Sequence, residues 1–107
     1  MNFKTLYNEL KSLGYPVAYS HFSEGDIPTP PFITYMLDST DNFSADGKVY
    51  SNINGMYIEL YNKVKDLEVE KKIETLLTDN SIFYEKNEYY IESSKLIEVV
   101  YSFDILE

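Results

Sequence analysis

The chain has no cysteine and no tryptophan, and all nine of its basic residues are lysine. Without cysteine there is no disulfide framework and no thiolate nucleophile or metal ligand. A reducing compartment is compatible with this, though not required by it. Without arginine the chain lacks the planar fork that reads phosphate and carboxylate two-pronged. Eighteen acids against nine lysines leave a net charge of −9. Phosphate neutralisation drives nucleic-acid binding, so specific nucleic-acid recognition is not expected. No apolar run approaches the roughly 20 residues of a membrane-spanning helix. The opening "MNFKTLYNEL" is amphipathic and charged, unlike a signal peptide. The expectation is a soluble intracellular protein with no membrane partner.

What is present is aromatic: eleven tyrosines and six phenylalanines in 107 residues. A chain this long is one domain, residues 1–107, burying about two-thirds of its unfolded surface.

Phe3, Leu6, Tyr7, Leu10 and Leu13 recur at helical spacing, with Asn2 as an N-cap and Gly14 as the stop. "VAYSHF" reads as a short strand, "SEGDIPTPP" as a stiff polar loop, and "FITYMLD" as a buried strand opening after Pro31. "STDNFSADGKVYSN" is rich in turn formers but carries Phe43 and Tyr50, so it reads as an extended excursion. "GMYIELYN" alternates, with Met56, Ile58 and Leu60 toward a core and Tyr57, Glu59 and Tyr61 on the second side. From Asp66, an N-cap, a helical stripe of Val69, Ile73, Leu76 and Leu77 appears, with Glu68, Glu70, Lys71, Lys72 and Glu74 facing out. "IFYEK" and "YYIES" read as a hairpin around Asn87-Glu88, followed by "IEVVYSFDI". The fold class is α+β: a largely antiparallel sheet of five to six strands, two helices on one face, order α-β-β-β-α-β-β-β.

Few residues offer chemistry. His21 stands alone, with Glu24 and Asp26 near in sequence; a strand-end histidine is the simpler reading than a weak cation site or a small hydrolase. Pro28 and Pro31 give a P-x-x-P spacing without the flanking basic residue, so a stiffened loop is expected. Asp38, Asp41, Asn42 and Asp46 look like a calcium loop, but Gly47 follows the acids and no glutamate closes it. Nothing matches a P-loop, a nucleophile elbow or a zinc motif. No catalytic residue, metal ligand or cofactor is assigned. The tyrosines are the informative feature. Tyr57 and Tyr61, with Tyr84, Tyr89, Tyr90 and Tyr101, exceed what one small core absorbs. Two readings stand: ordinary cross-strand aromatic pairing, or a subunit interface.

"PPFITY", "NFSADGKVYSNINGMYIELYNKVKDLEVEKKIETLL" and "FYEKNEYYIESSKLIEVVYSFDI", in this order, resemble the tail completion or tail terminator (head-tail joining) proteins of long-tailed phages and prophages of Gram-positive bacteria. The resemblance runs from about Tyr15 to Ile105. It implies a non-enzymatic virion part that forms rings, commonly hexamers, caps the tail tube and joins it to the head connector while the genome passes through. It also implies assembly in the bacterial host cytoplasm and a final place in the virion. The family has no active-site residues to transfer. An acidic, arginine-free chain suits a ring that must not hold DNA, and Phe43, Tyr50, Tyr57, Tyr61 and Tyr89 are the candidate assembly contacts. The alternative function is a small prophage-encoded acidic module that modulates another protein.

Overall fold

Asn2 caps the first helix: its side-chain oxygen accepts from the Thr5 amide at 2.9 Å. Helix α1 (Phe3–Lys11) buries Leu6 and Leu10 completely, and Gly14, at φ +95°, turns the chain out of it. The computed structural model describes residues 1–45 and 48–106, with the segments 41–45 and 48–52 described by their backbone pairing alone. Strand β1 (Val17–Tyr19) is short; β2 (Phe32–Ala45) and β3 (Lys48–Asn62) form a long antiparallel pair. Helix α2 (Leu67–Asp79) follows, then β4 (Tyr84–Ile91) and β5 (Leu96–Leu106).

The sheet order is β1-β2-β3-β5-β4. Every pairing is antiparallel except β1 with β2, which is parallel. β3 and β4 both run antiparallel to β5, so α2 crosses over the strand that separates them. Both helices pack on one face. There Leu6, Leu10, Val69, Ile73 and Leu77 meet Ile33, Tyr35, Ile58, Leu60, Val99 and Tyr101. Each such aliphatic side chain contributes roughly 1.5–3 kcal/mol through burial.

Four expectations need correction. After α2 the chain holds two strands, not three: β4 runs unbroken through Asn87 and Glu88, and the hairpin turn is the one expected at Ser93–Lys95. The reason is electrostatic. Lys86 and Glu88 alternate toward the helices, where Lys86 binds Glu70 and Glu74 at 2.7 Å each and Glu88 binds Lys65 at 2.6 Å. For the same reason Glu70 does not face water; it is 2% exposed. Tyr84 and Tyr101 belong to the covered side rather than a second face, with the Tyr101 hydroxyl donating to Glu74 Oε2 at 2.8 Å. Finally, β2 does not stop at Asp38. A register shift between Leu37 and Ser39 absorbs Asp38, and the ladder continues. Gly55 lies opposite the shift, where a Cβ would come within 2.9 Å of Ser39 Oγ.

Beyond Ile53, which pairs with Leu106 near the end of β5, β2 and β3 go on pairing with each other from Asn42–Asn52 to Ala45–Lys48. The pair thus continues as a two-stranded arm past the third strand.

Candidate functional site

The side of the sheet away from the helices follows from the registers. Phe32, Tyr61, Glu98 and Tyr89 form one row across β2, β3, β5 and β4. Thr34, Glu59, Val100 and Asn87 form the next, then Met36, Tyr57, Ser102 and Glu85. Asp104 sits beside Gly55 one step on. Alternation with period two puts these residues on one face. No helix covers it. The rows hold no lysine, so this face is at once aromatic and acidic.

Tyr57, Tyr61 and Tyr89 are therefore brought together. Tyr89 is 53% exposed; Tyr57 and Tyr61 are partly covered. The negative charge of Asp38 next to Tyr57 pushes that phenol above its ordinary value. The side chains of Phe43 and Tyr50 lie outside the described residues, and their backbones lie on the two-stranded arm. Phe83 was not singled out from the sequence, yet it is 88% exposed. Its alternation signals this: Ile82 and Tyr84 turn toward the core, so Phe83 turns away, in step with Glu85, Asn87 and Tyr89.

One end of the face is folded on itself. Phe22, from the loop before β2, meets Phe32 edge-on at 5.3 Å, and Phe32 stacks on Tyr61 at 5.1 Å. An open cavity of about 290 Å³ lies here, lined by His21, Phe22, Ile27, Phe32, Tyr61 and Leu96 among others. No carboxylate lines it. His21 Nδ1 lies 3.1 Å from the hydroxyl of its neighbour Ser20, and Glu24 and Asp26 do not join it in the cavity. Among the described residues, no group of three or more His, Asp or Glu side chains is placed to hold a metal ion.

Beside that cavity the Tyr61 hydroxyl is 3.0 Å from Glu59 Oε2 and 2.7 Å from Glu98 Oε2. Partial burial, with a hydrogen bond and like charge from Glu98, pushes the Glu59 carboxyl up to about 7. Burial and the two carboxylates raise the Tyr61 phenol as well.

The fold is similar to that of a chain in the virion of a native gene transfer agent (GTA) particle. The likeness spans 95% of this chain and 92% of that one, at a TM-score of 0.56 and 12% sequence identity. No protein-family model matches the sequence. No curated relative matches it either.

Proposed function

We propose that this protein is a structural subunit of a phage-like virion that works by docking, to copies of itself and to tail parts, and that it caps the tail tube and joins tail to head as a ring. The observation that carries this reading is the open sheet face, where Tyr57, Tyr89 and Phe83 lie with no layer of the chain's own over them. Aromatic residues on a sheet face uncovered by the subunit itself are the material of interface anchors. The likeness in fold to a virion chain supports it, as does the sequence resemblance to tail completion proteins. The β2–β3 arm supports it too. Two strands alone are marginal in water, so an arm of this kind gains by lying on a neighbour, and an arm fitting a neighbour's surface makes the head-to-tail contact from which rings close. The net charge of −9 and the absence of arginine would let a genome pass without being held.

The test is sedimentation of the protein over a range of concentration, alone and with tail tubes, read beside electron microscopy. Wild type should associate or cap tube ends. The double variant Tyr57→Ser, Tyr89→Ser should associate at least about tenfold more weakly with its melting temperature nearly unchanged, since these side chains support little of the core. A monomer that ignores tubes and instead captures another protein through its acidic face would replace this reading with the modulator.

A further inference from the structure

A phenol carries a single hydrogen. Tyr61 nevertheless stands within hydrogen-bonding distance of two carboxyl groups on adjacent strands, Glu59 at 3.0 Å and Glu98 at 2.7 Å. It can donate to one. The other contact is favourable only if the carboxyl brings its own hydrogen; with both glutamates ionised, an anion would face a lone pair at close range. Among the described residues the surroundings offer little other relief. From β2 the Thr34 hydroxyl reaches Glu59 Oε1 only at 3.4 Å. On β3 the flanking groups are Tyr57 and Tyr61; from β5 come Glu98 and Val100; from β4, Asn87 and Tyr89. The loop before β2 contributes Phe22 and His21, the latter exposed and turned to Ser20. The charge acting on Glu59 is that of Glu98, of its own sign.

We propose that Glu59 and Glu98 hold one proton between them at neutral pH, and that its release on a rise in pH unlatches Tyr61 and adds a negative charge at the centre of the open face. While the proton is held, the hydrogen bonds run unbroken through the two carboxyls and the phenol, fixing the Tyr61 ring against Phe32. On release the O–H bond of the carboxyl breaks, its electrons stay on oxygen and the proton goes to water; the two like-charged side chains then separate. The upward push on Glu59 has the matching direction. A second consequence rests on the docking reading above. Covering this face removes water from the pair and favours the form holding the proton, so association weakens as pH rises.

The test is a pH titration of the glutamate side-chain carboxyl carbons by NMR on the full chain. In wild type one glutamate should titrate near 7, and Glu59→Gln should abolish that step. Glu98→Gln should move it down by at least about one unit, because the like charge is gone. Tyr61→Phe keeps the ring and should keep a raised step, which guards against misreading a variant that folds poorly. A wild type whose glutamates all titrate below about 5, the ordinary carboxylate range, would overturn the latch, as would a raised step unmoved in Glu98→Gln. Sedimentation at about pH 6 and about pH 8, either side of the titration, reads the second consequence. Association equal at both, with the raised step present, would overturn the link to docking alone; absence of association at both would count against the docking reading while the titration still decides the latch.

Discussion

The two faces of one sheet treat the same side chain in opposite ways. On the covered face Glu70 is almost wholly buried, yet Lys65 reaches it at 2.8 Å and Lys86 at 2.7 Å. Burial alone would push that carboxyl up; the two lysines outweigh it and hold it below the usual carboxylate range. On the open face Glu59 has no lysine in its row: partial burial pushes its carboxyl up, the hydrogen bond and like charge of Glu98 add to the push, and the Tyr61 phenol only partly opposes it. Burial pushes both carboxyls up; the neighbours that oppose it at Glu70 and add to it at Glu59 decide the outcome. The contrast extends to function. The covered face satisfies its polar groups within the chain, and among the described residues no buried side-chain polar atom lacks a partner. The open face leaves aromatics uncovered and like charges adjacent, which is the condition that the docking proposal requires.

The comparison breaks most easily through packing. Ile58 is completely buried against the helices, whereas Val100, on the neighbouring strand, turns to the open face. Ile58→Ala should cost about 3 kcal/mol in urea unfolding, and Val100→Ala less than about 1 kcal/mol. Comparable losses at both positions would mean that the open face is packed in the lone subunit, and the docking reading would lose its footing.

Lys86→Ala comes next. It leaves Glu70 with one lysine and removes the cation that also holds Glu74. A loss of about 2 kcal/mol is expected near neutral pH, below the roughly 3–5 kcal/mol of breaking a fully buried pair because Lys65 remains and Lys86 is partly exposed. The sign with pH is fixed. A carboxyl lowered by folding contributes stability above its unfolded value, 4.5 for an ordinary glutamate, and loses it as pH falls through the folded value. The gap between wild type and variant should therefore narrow on acidification. A gap independent of pH would assign the loss to the packing of the lysine stem instead.

Much of this architecture is local and readable from the chain. Asn2 and Asp66 cap where their spacing to the apolar stripes requires, and both helices end close to where Gly14 and Asn80 stop them. The alternation in β3 and β5 sorts core from surface residue by residue. What escaped reading was set at long range. Glu70 looks like any helix-surface acid until Lys86, sixteen positions on, arrives from another element. Asn87-Glu88 looks like a turn until Glu88 finds Lys65. The same holds at the candidate site. That Tyr57 and Tyr61 share a face follows from period two, but the juxtaposition of Glu59 with Glu98 depends on the β3–β5 register, which no local pattern announces. Phe83 was legible, since the inward turns of Ile82 and Tyr84 leave it no other direction.

The finest probe of the comparison is Glu59→Gln, which keeps the shape of the side chain and its hydrogen-bonding reach while removing the charge. A carboxyl raised by folding contributes its stability in full below the unfolded value of 4.5 and loses it as pH climbs through about 7. Wild type should therefore weaken across that window through this group, and the glutamine variant should not. Groups away from this pair, Glu70 among them, act alike in both proteins and cancel in the difference. The variant should match wild type at about pH 4 and exceed it above about pH 7.5 by about 1 kcal/mol. The full shift would give more, but Glu59 is only partly buried and screening trims its effect. Paired urea titrations at several pH values check this. A difference that stays flat, or one that favours wild type at high pH, would mean that Glu59 titrates in the ordinary carboxylate range and that the open face carries this charge at neutral pH.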